Sequence, residues 1–302
     1  MDPITLRAGH AGLGLAPAAG GAVTRYGFEA GATTIEWLRP TSPGALAAGD
    51  PYEMAGFPLV PYSNRIRDGR FVFRGQKVAL PLNRPPARHS LHGQGWEAAW
   101  RPIEVHASRV ALEYRHPAGA WPWAYRARQR VTLTPERLVV ELALTNEGGA
   151  PMPAGLGWHP YFPRTPRTTV TADVRGLWLT DDEVMPTELA SPPPAWDPGR
   201  GLRVDAVGLD HCFTGWGRRA VIEWPEWHAR LVMTADPPLD CLMVYTPPGR
   251  DFFCVEPVSH ATDAINLAAA GRTDTGLLTL EPGETVGAAI TLTPWSGRGR
   301  AG

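Results

Sequence analysis

Paired cysteines, net charge, long apolar runs and room for helices are all scarce in this 302-residue chain. Its three cysteines, Cys212, Cys241 and Cys254, lie far apart with no CxxC pair, so neither a zinc site nor a disulfide framework is signalled. Lys plus Arg is 29 against 30 for Asp plus Glu, and a formal net charge of -1 offers no field to draw in nucleic acid or anionic lipid. A small neutral partner fits better. The N-terminus has no basic segment followed by a sustained apolar core, and no later window approaches a membrane span, so a soluble, cytoplasmic protein is expected. No composition break or clear repeat divides the chain. One domain over 1–302 is expected, with its core at about 20–294 and a Gly/Arg tail at 295–302 that frays.

Hydrophobic residues, at 43%, and charged residues, at 20%, are balanced as in a protein with a substantial core. Proline (32) and glycine (33) are spread throughout and leave little room for helices of ordinary length, which makes all-β the expected class. Strand-like windows recur at Val23–Phe28, Thr33–Leu38, Arg109–Arg115, Arg126–Thr134, Leu138–Thr145, Ala220–Trp224, Ala229–Thr234, Cys241–Tyr245, Phe252–Val255 and Gly287–Leu292. In the window from Leu138 to Thr145 the even positions are all large and apolar, while Glu141 and Thr145 take the odd face, the pattern of a sheet with one buried face. Short pieces at Gly44–Ala48 and Leu267–Ala270 can each make a turn or two of helix. Thr180–Arg203, with five prolines and several acids, reads as a long loop.

The stretch from Gly56 to Trp96 places Asn64-Arg65 and two histidines, His89 and His92, on either side of a hairpin pattern. Arg70 to Arg74 alternates, Gly75-Gln76 can turn, and Lys77 to Leu80 resumes the apolar run. Pro81 to Arg88 is proline-rich loop that leads into His92-Gly93-Gln94-Gly95. Gly93 and Gly95 allow positive φ or a close backbone approach by a ligand. Further polar residues stand in apolar company at Gly155 to Phe162 (GLGWHPYF), Leu209 to Phe213 (LDHCF), Val244 to Gly249 (VYTPPG) and Phe252 to Ser259 (FFCVEPVS). Glu256 ends a nearly unbroken apolar run, a costly place for a carboxylate unless it is neutral or paired.

Taken in order, NRI, LHG-x-G-W, WHPYF, LDHCF, VYTPPG and VEPVS with a trailing DAIN resemble the aldose 1-epimerase (galactose mutarotase-like) family, over about Gly20 to Pro294. The resemblance implies a large antiparallel β-sandwich, the supersandwich, with a sugar in an open cleft across one sheet and cofactor-free exchange of α and β anomers. It makes Glu256 the general base and His159 the general acid. Arg65 and His92 would hold the sugar and its ring oxygen, Asn64 is a neighbouring contact, and Asp210 would bind sugar hydroxyls. No metal or other cofactor is implied. Where galactose-acting relatives have a glutamine after the VYT strand, this chain has Pro247, and GWHPYF resembles the more divergent bacterial branch.

The residue types suit that chemistry. Opening a hemiacetal removes the O1 proton and protonates the ring oxygen. A glutamate raised by apolar Phe252, Phe253 and Val255 and a histidine are a suitable pair. Trp96, Trp158 and Trp216 can offer flat faces to a sugar, Trp158 least, since in an extended segment it points away from His159. His89, His106, His116, His211, His228 and His260 are expected in loops or on exposed strand faces with no chemical part. Arg65 has a plain alternative as a partner of Glu53 or Asp68, and a metal on His89 and His92 lacks a typical spacing. A non-catalytic sugar-binding module, a glycosidase using Glu256 with Asp210, and a hexose-6-phosphate mutarotase remain open alternatives.

Overall fold

The structure, a computed structural model, describes residues 1–30 and 33–297. Among these, two antiparallel sheets of eleven and nine strands dominate. The eleven-stranded sheet runs in the order Ile4–Ala8, Ala11–Ala16, Ala22–Ala30, Gly56–Leu59, Gly157–Pro163, Phe252–Val258, Cys241–Tyr245, Asp210–Thr214, Gly176–Thr180 and Pro186–Ala190, with Thr33–Glu36 beside Ala22–Ala30. The other sheet includes Arg109–His116, Tyr125–Leu133, Leu138–Asn146, Thr285–Ser296 and Ala229–Ala235 at its centre. This is the fold expected from the alternating windows, each of which falls on a strand.

Leu138, Val140, Leu142 and Leu144 are all buried, whereas Glu141 on the same strand is only partly covered. Fully burying such a side chain is worth roughly 1.5–3 kcal/mol, so the alternation fixes which face turns inward. One core cluster joins residues of both sheets, among them Leu142, Phe213, Val244, Phe253 and Val255. A second, smaller cluster of Phe57, Leu59, Trp96, Tyr161, Met243, Cys254 and Val258 covers part of the opposite face of the eleven-stranded sheet. The strand Phe252–Val258 is therefore covered on both faces, which is why its sequence reads as an almost continuous apolar run.

The strands begin earlier than the expected core at about residue 20, since Ile4–Ala8 and Ala11–Ala16 form one edge of the larger sheet. At the other end Trp295 and Ser296 belong to the last strand, so the predicted tail is shorter; 298–302 lie outside the described residues. Thr180–Arg203 is not simply loop. Pro186–Ala190 pairs with Gly176–Thr180 at the sheet's edge, where a proline at the first strand position removes no needed ladder bond, and Leu202–Arg203 pairs in the other sheet. The hairpin Arg70–Phe73 with Gln76–Ala79 turns at Arg74-Gly75, one residue earlier than expected, because Phe73 pairs with Gln76. Among the described residues the α-helices are the two short pieces Pro43–Ala48 and Ala264–Ala269.

Candidate active site

Adjacent strands set the centre of the site. Gly157 pairs with Val258 and Tyr161 with Cys254, so the register puts His159 directly opposite Glu256. Alternation sends both side chains to the same face, and His159 Nε2 stands 3.3 Å from Glu256 Oε1. Trp158, the neighbour of His159, points into the core between the sheets as its place in an extended strand requires. Phe253 and Val255 do the same. They are thus not the residues that bury the Glu256 carboxyl, contrary to the sequence expectation; Cys254 and Phe252 share its face, together with Tyr161 and His159 from the next strand.

The pair forms part of the floor of a cleft of about 430 Å3 whose lining also includes Arg39, Tyr52, Glu53, Asn64, Arg65, His92, Tyr161, Asp210, Tyr245, Arg250, Asp251 and Phe252. All six residues selected from the sequence meet here. Burial, then the charge of Asp210, pushes the Glu256 carboxyl well above the usual carboxylate range, with Arg65 opposing. Burial takes the His159 imidazole down to about 3; a backbone hydrogen bond opposes this and Arg39 adds to it. Burial thus favours the uncharged form of both groups, whose Nε2 and Oε1 approach to 3.3 Å. Nδ1 of His159 is buried without a partner, and its ring lies between Phe57 and Tyr161, at 4.6 and 4.7 Å between centroids.

His92 is fixed by a different device. Asn64 and Arg65 return beside His92 through the short ladder Arg65↔Leu91. The Asn64 backbone N–H donates to His92 Nδ1 at 3.0 Å, and the His92 N–H donates to the Asn64 carbonyl at 2.8 Å. An amide N–H can only donate, so Nδ1 must accept and the ring proton sits on Nε2. Burial, His159 and Arg65 together hold His92 well below the ordinary histidine value, which leaves a neutral ring with a donor at Nε2. Gly93 and Gly95 serve this turn and not a ligand: a Cβ on Gly93, at φ +72°, would lie 2.2 Å from the Val60 carbonyl oxygen, and one on Gly95 2.4 Å from a Val60 methyl.

Arg65 bonds Asp210 at 3.1 Å and the Asn64 side-chain oxygen at 3.0 Å; neither Glu53 nor Asp68 is its partner. Asp210 reaches the cleft from the far strand of the site, paired opposite Tyr245. Pro247 is not part of the lining. Its carbonyl accepts from the Arg164 guanidinium. His89 and His260, expected in loops or on exposed strand faces, are buried: His89 Nδ1 accepts from the Asp68 N–H at 3.1 Å, and His260 Nε2 accepts from the Ser63 N–H at 3.1 Å while its Nδ1 meets the Ala261 carbonyl at 2.7 Å. His89 and His92 thus use ring nitrogens to brace turns.

Several lining residues were not found from sequence. Trp96, Trp158 and Trp216 do not line the cleft; Trp96 lies behind it, against Tyr52 and His92, and the other two are in the core between the sheets. The aromatic faces come from Tyr52, Tyr161, Tyr245 and Phe252. Tyr161, Tyr245 and Phe252 lay inside motifs already singled out. Arg39 gave no local signal, because only the return of the chain seats its guanidinium 4.0 Å over Tyr161 and on the carbonyls of Tyr52 and Met54. Among the described residues, His159, Cys254 and Glu256 are a group whose donor atoms lie close enough together to hold a metal ion.

No helix among the described residues is long and apolar enough to cross a membrane. The chain is 32% identical to the uncharacterised protein YphB of Escherichia coli K12 over 267 residues, 86% of this chain and 89% of that protein. The crystal structure of a candidate aldose 1-epimerase from Escherichia coli K12 superposes with a TM-score of 0.87 at 30% identity, covering 98% of this chain and 99% of the other. A galactose mutarotase-like protein from Clostridium acetobutylicum, at 18% identity, shares the fold with a TM-score of 0.85 over 97% and 95% of the two chains. Residues 2–293 match the aldose 1-epimerase family model, and the chain belongs to that family.

Proposed function

We propose that this protein is a mutarotase that interconverts the α and β anomers of a free aldose, with Glu256 and His159 as its proton-transfer pair. The observation that carries this reading is the buried 3.3 Å approach of those two side chains at the floor of an open polar cleft. In the reactive state the pair shares one proton, held on His159, and Glu256 is a carboxylate. Glu256 takes the O1 proton, the bond from C1 to the ring oxygen breaks as O1 becomes the aldehyde oxygen, and His159 protonates the ring oxygen. The His92 Nε2–H steadies that oxygen. Both protein groups end neutral, the state that burial favours, so ring opening relieves a charge separation in low dielectric. Rotation about C1–C2 and the reverse transfers close the other anomer.

A neutral aldose suits the cleft better than a phosphorylated one. Arg67 is engaged by Asp181 and Glu183, Arg84 by Asp50 and Arg88 by Glu183, and none of the three lines the cleft. Arg39, Arg65 and Arg250 do line it, but Glu53, Asp210, Asp251 and Glu256 lie among them, so a dianion meets no excess of positive charge. Without a glutamine at position 247, a broad or non-galactose preference that includes pentoses is expected. Fresh α-anomers of glucose, galactose and L-arabinose, beside glucose 6-phosphate, should be followed by polarimetry and NMR. Glu256→Gln and His159→Ala should each lower turnover by roughly two to four orders of magnitude, while the folded fraction of His89→Ala keeps its turnover. Measurable sugar binding with no exchange of any anomer would favour a binding module instead.

A further inference from the structure

The eleven-stranded sheet brings a third chemically capable side chain to the acid–base pair. Cys254 stands two residues before Glu256 on the same strand, and two-residue alternation puts its thiol on the face of Glu256 and, across the ladder, of His159. One donor atom from each of the three lies within 4.8 Å of the others, and all three residues are buried. A tetrahedral ion with bonds of about 2.0–2.3 Å to nitrogen, oxygen and sulfur needs ligand atoms roughly 3.5 Å apart, so the widest pair has only about 1 Å to close. The His159 to Glu256 distance, 3.3 Å, is already there. A second observation points the same way: His159 is 5% exposed and its Nδ1 is a buried polar atom with no partner beyond the ring's contact with its own backbone.

We propose that His159, Cys254 and Glu256 form a site for a thiophilic divalent cation of the zinc class, and that an ion seated there switches anomer exchange off. Sulfur, imidazole nitrogen and a single carboxylate select zinc or cobalt over magnesium and calcium, which require near-complete oxygen shells. Three protein ligands leave one position, and it opens on the cleft, where water or a sugar hydroxyl completes the tetrahedron. Binding releases the thiol proton, and the carboxyl proton where present, to solvent; no electron moves. An ion there occupies the lone pairs that the proposed transfers require. The inhibition rests on the mutarotase reading, but the binding does not.

The test uses chelator-treated full-length protein and Co2+ and Zn2+ as the probes. Cobalt should give the visible bands of a tetrahedral site and a near-ultraviolet thiolate-to-cobalt band, and Zn2+ should displace it. Cys254→Ala should lose the thiolate band and, measured against its own metal-free turnover, require roughly 100-fold more Zn2+ for both protection against thermal unfolding and inhibition. A wild-type protein with no thiolate band, or a Cys254→Ala protein equally sensitive to Zn2+, overturns the proposal. Should Cys254→Ala fold poorly, Cys254→Ser provides the same comparison. A thiolate band in a protein that exchanges no anomer would support the site and sink the mutarotase reading alone.

Discussion

Replacing His260 with glutamine should reduce the acid sensitivity of the fold by a calculable amount. His260 is 2% exposed and braces the turn that carries Asn64 and Arg65, accepting from the Ser63 N–H and meeting the Ala261 carbonyl. Burial holds its imidazole at about 4 against the ordinary 6.5. Because the folded value is depressed, the unfolded chain binds a proton below pH 6.5 that the folded chain refuses until about pH 4, so stability falls as pH drops through that window. The gap is worth about 3 kcal/mol, at about 1.4 kcal/mol per pH unit. His92 and His159, depressed for the same reason, add to the slope, while Glu256, whose carboxyl is raised, opposes it by holding a proton that the unfolded chain releases. Around pH 5–6 the His260 uptake alone is about one proton, so the variant should lose about 1.4 kcal/mol per pH unit of the slope. Glutamine can still accept from Ser63, so the variant should remain folded at pH 7.5, where it is the less stable of the two by about 1–3 kcal/mol. Urea unfolding at pH 7.5, 6 and 5 measures the gap between the two proteins, and titrating groups common to both cancel in it. If that gap stays constant within about 0.5 kcal/mol over this range, His260 does not remain neutral in the fold and the reasoning fails.

The pH profile of kcat should show no acid limb near 6.5, because His159 and His92 are held below that value; activity should instead fall as pH rises through the raised Glu256 value and the pair loses its last proton. An ordinary histidine limb in stopped-flow polarimetry would contradict this. Arg65→Met removes charge-assisted bonds to Asp210 and Asn64 and should lower kcat/KM by roughly ten- to a hundredfold, mostly through KM, whereas a loss confined to kcat would mean that Arg65 acts on the reacting atoms. Gly93→Ala puts a Cβ 2.2 Å from the Val60 carbonyl at a positive φ and should cost more than about 1 kcal/mol in urea unfolding while weakening sugar binding; an unchanged Cm would show that the turn yields freely.

Local pattern was enough for the class of fold, whereas the candidate site's central side chains were picked out by ordered motifs that resemble the aldose 1-epimerase family. Alternation in Leu138–Asn146 names its buried face without a neighbour, since side-chain direction in a strand depends only on parity. An acid in the run Phe252–Val258 marks Glu256 because burying a carboxylate is costly wherever the run packs. What parity cannot say is which neighbours cover each face. Phe253 and Val255 lie close to Glu256 in sequence yet face the other way, and its face is shared by Cys254 and Phe252 of its own strand with Tyr161 and His159 from a strand almost a hundred positions earlier. The same limit hid Arg39, Tyr52 and the bracing histidines His89 and His260, whose partners lie across a turn or far along the chain. Composition and spacing determined that this is a β protein with a polar site. Register and packing between distant strands decided which polar groups are neutral, which way each donor points, and that a thiol lies beside the acid and the base, because desolvation and hydrogen-bond direction depend on what surrounds a group in space and not on what adjoins it in the chain.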